Sequence, residues 1–238
     1  MTAEVAAEPT EALEPSERAG IVRDSLGVGI ATGVYGTSFG AVSVAAGLDV
    51  WQTCALSLLM FTGASQFALV GVLASGGSPL SGVFTALLLG TRNTLYGLRL
   101  APLLGWRGWR RAAASHLVID ESSAMSVTRR TREGARLGFL VTGGSVFVLW
   151  KLATLLGALA GTAIGDPRDY GLDAAVGAAF LALLWPRLGT TRNRVVAVAA
   201  AAVALGAVPV TAAGVPVLVA AGVALLAGVL GSHTGAAR

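Results

Sequence analysis

From Ser25 almost to its end, the chain is a succession of apolar runs of the length that crosses a bilayer, divided by short polar breaks. A spanning helix needs roughly 20 apolar residues to cross about 30 Å of hydrocarbon, so lipid is the main solvent of a chain built this way. Composition agrees: 54% of the 238 residues are hydrophobic and 13% charged, with a mean hydropathy of +0.72, too apolar for a soluble domain of this size. A transmembrane barrel would instead show segments of about ten residues with alternating polarity. Gly is abundant, at 32 residues, while aromatics stay at 6%, the composition of helices that approach closely through small side chains. The fold class expected is therefore all-α: a polytopic integral membrane protein of about seven or eight transmembrane or re-entrant helices.

The first span is expected over residues 25–48, with Gly29, Gly33, Gly36 and Gly40 recurring on one face as a close helix contact. A second, over 51–74, should form a hairpin with it and end at the turn Ser75-Gly76-Gly77-Ser78-Pro79. Residues 80–104 are again apolar but are interrupted by Thr91-Arg92-Asn93, and residues 112–127 are short and carry His116, Asp120 and Glu121. Further spans are expected over 137–164, 172–188, 195–210 and 215–230, with a loop at Asp166-Pro167-Arg168-Asp169. Two crossings within 80–127 give eight in all but put Arg107, Arg110 and Arg111 outside. A re-entrant reading of that stretch gives six and obeys the charge rule better. Gly36 to Gly47 with Asp49 and Phe61 is faintly echoed by Gly157 to Gly165 with Asp173 and Phe180. That possible internal repeat is expected to be parallel, and repeats are common transporter architecture.

Residues 1–24 read as a disordered or weakly helical cytoplasmic tail, and 25–231 as one transmembrane transporter domain. The tail has no basic region leading into an apolar core, so it does not read as a cleavable signal. From residue 25 onward 15 basic residues face 7 acidic ones. Most are arginines in short loops, densest at Arg129, Arg130, Arg132 and Arg136, which places that loop in the cytoplasm and argues for a cell (inner) membrane protein and against nucleic-acid binding. Trp106 and Trp109 beside Arg107, Arg110 and Arg111 suit a membrane interface. Cys54 is the only cysteine, which excludes an intramolecular disulfide and a Cys-based metal site. No nucleotide-binding loop is present, and no cofactor or metal is expected.

Polar residues inside apolar frames carry the functional expectation. A lipid-facing Arg92 would cost about 2.5–3.5 kcal/mol, so it must face protein, water or substrate. It could clamp a carboxylate or pair with Asp120, and Tyr96 and Arg99 share its helical face. Asp120 and Glu121 are candidate proton-coupling acids, because burial favours the neutral form of a carboxyl group. The plainer alternative makes them solvated loop charges. Gly63-Ala64-Ser65-Gln66 sits at the centre of a span where a broken helix could expose hydrogen-bonding groups to a ligand, or could simply pack. The site expected for substrate binding or gating is thus Gly63, Ser65, Gln66, Arg92, Asn93 and Tyr96. Ser65 with His116 and Asp120 invites an intramembrane serine protease reading, though nothing else in the sequence requires them to meet. Polar residues that only hold a partner, in a non-transporting structural subunit, are the other alternative.

The run Leu58-Leu59-Met60-Phe61-Thr62-Gly63-Ala64-Ser65-Gln66-Phe67-Ala68, then Arg92-Asn93-Thr94-Leu95-Tyr96-Gly97, then Ile119-Asp120-Glu121-Ser122, resembles the AzlC-type branched-chain amino acid permeases. Gly36-x-x-x-Gly40 with Gly47-Leu48, and Gly171-Leu172-Asp173 with Ala179-Phe180-Leu181, extend the resemblance over about residues 20–230. This chain departs from the family at Gly90-Thr91-Arg92-Asn93, where a His more usually follows the arginine. The resemblance implies export of branched-chain or related apolar amino acids, in many cases with a small separately encoded membrane subunit of the AzlD type. Proton exchange is the energy source expected with it.

Overall fold

The structure, a computed structural model, describes residues 13–164, 181, 184–185, 188–211 and 215–235. Ten helices organise these residues: α1 (Pro15–Val34), α2 (Gly36–Ala45), α3 (Val50–Leu59), α4 (Ala64–Ala74), α5 (Pro79–Leu104), α6 (Gly108–Ser115), α7 (Asp120–Val127), α8 (Arg132–Ile164), α9 (Thr191–Ala207) and α10 (Val215–Gly235). No strand occurs among the described residues, as the apolar runs require. The expected loop at 166–169, the span at 172–188 and the later half of the 157–180 echo lie outside or mostly outside these residues.

Helix begins ten residues before the expected first span. Residues 15–24 take the helical of the two forms expected for the tail, because Pro15 occupies the first turn with Glu17 beside it, a residue pair suited to a helix N-terminus. The extension is tied down by Arg18–Glu133 at 3.7 Å and Arg129–Asp24 at 4.0 Å.

The glycine face does what its spacing predicts. α1 and α2 run parallel to α8 in successive backbone contacts: Gly29 lies on Ser145, Gly33 on Leu149, Gly36 on Trp150, Gly40 on Thr154 and Gly157 on Thr37. These pairs fix two ends. One carries Arg129, Arg132 and the start of α1; the other carries Ala41 against Gly161.

The same ends show that residues 50–74 do not cross. α3 starts beside the end of α2 and descends until Ser57 meets Thr154 at 3.3 Å. After a break at 60–63, α4 turns back: Phe67 packs edge-on against Phe39 at 5.5 Å, and Gly82 of α5 lies on Leu69. Each half has 10 or 11 residues, about 15 Å, half a bilayer. The expected spanning hairpin is therefore corrected to a re-entrant one. Gly63 at φ +55°, a region L side chains avoid, makes the reversal.

α5 does cross. It starts beside the end of α4, and its last carbonyl, Leu104, accepts from Arg136 Nε at 2.7 Å at the arginine-rich end. α6 and α7, eight residues each, then form a second re-entrant hairpin from that end. His116 Nε2 meets the Leu58 carbonyl at 2.9 Å, and Met125 returns to Gly138 of α8. The structure takes neither expected reading of 80–127: α5 crosses once and α6–α7 re-enters, so Arg107 to Arg111 share an end with Arg129 to Arg136. A crossing helix followed by a re-entrant hairpin thus occurs twice, in opposite directions. This repeat is inverted, and it is not the one echoed in the sequence.

α9 and α10 pack on each other, and α10 touches α5 lightly; the two show Val198, Leu205, Leu225 and Leu226 outward as lipid-facing helices do. With a Cys54→Ser background, single cysteines at Asp49 and Gly76 are expected to react with a membrane-impermeant maleimide from one side of the membrane. Cysteines at Arg107 and Arg130 should react from the other side; labelling of Asp49 and Gly76 from opposite sides would refute the re-entrant hairpin.

Candidate functional site

The tips of the two re-entrant hairpins meet halfway along α5 and α8, and a cavity of about 70 Å³ lies there. That is polar and roomy enough to hold water. Its polar side is formed by Thr32, Arg92, Asp120 and Glu121, together with backbone of Thr62 and Gly63. Its apolar side is Tyr35, Phe61, Phe67, Ile119, Val146 and Trp150.

Each polar group arrives for a local reason. Arg92 sits at the middle of α5, about 20 Å from either helix end. Asp120 and Glu121 occupy the first turn of α7, where the helix dipole favours negative charge. Ser122 secures that turn by accepting from the Ile119 N–H at 3.1 Å and donating to the Leu117 carbonyl at 2.6 Å. Gly63 opens α4, whose first N–H groups lack helical acceptors and lie beside the same space.

Arg92 Nη1 contacts Asp120 Oδ2 at 2.8 Å, with the two side chains 28% and 30% exposed. Arg92 Nη2 also donates to the Thr62 carbonyl at 3.4 Å, which joins α5 to the tip of the α3–α4 hairpin. The ion pair uses one atom of each partner: Arg92 Nε and Asp120 Oδ1 are buried and make no hydrogen bond. A donor and an acceptor left unused within one ion pair, at a cavity whose other side is aromatic, match a zwitterion with an apolar side chain. Thr32 Oγ1 donates to Glu121 Oε1 across a long 3.5 Å.

Four of the eight sequence-derived residues, Gly63, Arg92, Asp120 and Glu121, come together at this cavity. Ser65 turns from it toward Gly90 of α5 and lines a separate groove with Thr62, Ala86 and Thr94. Gln66 bridges the hairpin by donating to the Leu56 carbonyl at 3.3 Å. Asn93 faces a neighbouring cavity with Phe61, His116 and Val118, and Tyr96 is half-buried one turn further along α5. Ser65 and His116 face different groups, Gly90 and the Leu58 carbonyl, so the protease arrangement has no geometric support. Thr32, Tyr35, Phe61 and Trp150 were not singled out by the sequence. Thr62 Oγ1, Ser65 Oγ, Gln66 Oε1 and Asn93 Oδ1 are all buried without a hydrogen-bond partner among the described residues, an unusual density of unmet polarity around one hairpin tip.

Comparison with known proteins bears on the same residues. The model of the family described as AzlC protein matches residues 27–164, the stretch that holds both hairpins and the cavity. A protein of Archaeoglobus fulgidus called an uncharacterized membrane protein is 34% identical over 170 residues, 71% of this chain and 74% of that one. Two Helicobacter pylori proteins bearing the same description, from strains 26695 and J99, are 25% and 24% identical, each over 67% of this chain and 71% of their own. No solved structure matches.

Proposed function

We propose that this chain, which belongs to the AzlC family, is a secondary-transporter subunit that exports branched-chain or related apolar amino acids in exchange for protons. The observation that carries this reading is the half-used Arg92–Asp120 pair: a free guanidinium nitrogen for a carboxylate and a free carboxylate oxygen for an ammonium. Phe61, Phe67, Val146 and Trp150 supply the apolar wall for a branched side chain. Gly63 and the first turn of α4 add N–H groups on the carboxylate side. Glu121 takes the coupled proton, since Asp120 is engaged by Arg92. Ser65, Gln66, Asn93 and Tyr96 act as gating residues around the tips rather than as direct ligands.

Two inverted hairpins whose tips close the same space suit alternating access, in which one tip parts at a time. The arginine-rich end is placed in the cytoplasm of the cell (inner) membrane by the positive-inside tendency, with the N-terminus on that side. A small AzlD-type subunit is the partner in the bilayer.

Cells producing the chain, preloaded with labelled leucine, valine or methionine, are expected to lose the label several-fold faster than cells without it. Equal efflux for every apolar amino acid tried would overturn the transport reading and favour a structural subunit.

A further inference from the structure

Lys151 is the only lysine in the chain, beside 16 arginines, and it lies near the middle of α8, the one charged residue between Arg136 and Ile164. Its Nζ is buried and makes no hydrogen bond, and no ion pair to it occurs among the described residues. The ammonium rests on two ring faces, 4.0 Å from the centroid of Phe61 and 4.4 Å from that of Phe147. His116 stands against the same two rings, at 6.1 Å and 5.7 Å. Lys151 is thus caged at the point where the tip of the α3–α4 hairpin, through Phe61, meets the tip of the α6–α7 hairpin, through His116.

Ring faces attract a cation but replace little of the water a buried ammonium has lost. A purely structural cation would not need lysine. Arginine serves every other basic position, and it stays charged, whereas a lysine ammonium can release its proton. Phe61 lines the substrate cavity as well as covering Nζ, so one ring belongs to both the cage and the cavity wall. The other titratable or charged groups on the surrounding elements are Tyr35 at the end of α1, Arg92 on α5, His116 between α6 and α7, and Asp120 and Glu121 on α7. None of them hydrogen-bonds the Nζ.

We propose that Lys151 is a second proton-binding group of the transport cycle, beside Glu121, with Phe61 as the shutter between it and the substrate. The inference rests on the transport reading above. When the tips part, the ammonium gives its proton to water reaching the cage, and the neutral amine remains among the rings. It regains a proton from water on the opposite side in the return step.

The test uses everted membrane vesicles from cells producing the full chain, with labelled leucine. Exchange of labelled for unlabelled leucine needs no net proton movement; accumulation driven by an acid interior does. Lys151→Met is expected to keep exchange within about threefold of the unaltered chain and to lose at least tenfold in proton-driven accumulation. Lys151→Arg, whose charge cannot leave, should lose accumulation to the same degree. Accumulation within twofold of the unaltered chain in either variant overturns the proposal. So does loss of exchange together with accumulation in Lys151→Met, which would make the lysine a binding or structural residue. Absence of exchange in the unaltered chain would instead sink the transport reading, and this inference with it.

Discussion

Arg92→Ala is expected to lower leucine transport at least about 100-fold at normal membrane abundance, a loss of about 2.7 kcal/mol. Two effects combine. The variant removes the donor offered to a substrate carboxylate, and it leaves Asp120, 30% exposed at mid-depth, without its counter-charge. An unpaired carboxylate in a low-dielectric site is costly, though its partial exposure moderates the penalty. Pairing the change with Asp120→Asn separates the two effects. If the pair only ties α5 to α7, removing both charges relieves the penalty, and the double variant should transport within about threefold of the unaltered chain. If Arg92 also holds substrate, the double variant regains abundance and stays inactive. The second result is expected, because the pair leaves Arg92 Nε and Asp120 Oδ1 without hydrogen-bond partners and both residues line the cavity. Recovery of transport in the double variant would reduce Arg92 to a structural tie.

The polar interruptions were legible because an apolar frame makes any arginine or acid conspicuous. Arg92 and the Asp120-Glu121 pair stand out for that reason, and the structure brings all three to one cavity. What the sequence hid was direction. Two half-length helices that turn back have the same hydropathy as one helix that crosses, so residues 51–74 read as a span although Gly63 reverses them. The signal was in the capping chemistry: a break followed by a polar first turn, Gly63-Ala64-Ser65-Gln66 in one hairpin and Asp120-Glu121-Ser122-Ser123 in the other. Ser65 and Gln66 lie within three residues of the cavity edge but point to α5 and α3, since neighbouring positions of a first turn face different ways. Lys151 escaped notice inside a long apolar run, where its being the only lysine was the available clue.

Gly157→Val is expected to lower the stability of the fold markedly, while Gly144→Val on the same helix should be tolerated. The contrast follows from what a side chain would meet. At Gly144 there is open space, whereas at Gly157 a Cβ would strike the carbonyl, Cα and C of Thr37. Those are backbone atoms of α2, so no rotamer change gives way, and the helices must separate. Overpacking of this kind costs about 3 kcal/mol or more, roughly 6–12 °C in melting temperature for a chain of this size. Melting of the detergent-extracted protein, with its monodisperse fraction, reads the effect; Gly157→Val melting within about 2 °C of Gly144→Val would refute it. The consequence reaches the site. Phe39 of α2 stacks at 6.2 Å on Trp150 of α8, and Trp150 is a wall of the cavity. Close approach of α2 and α8 is therefore what sets that wall against Arg92 and Asp120. A milder change at the partner position, Gly40→Ala, meets the backbone of Thr154 and Ala158 and should weaken transport before it abolishes folding.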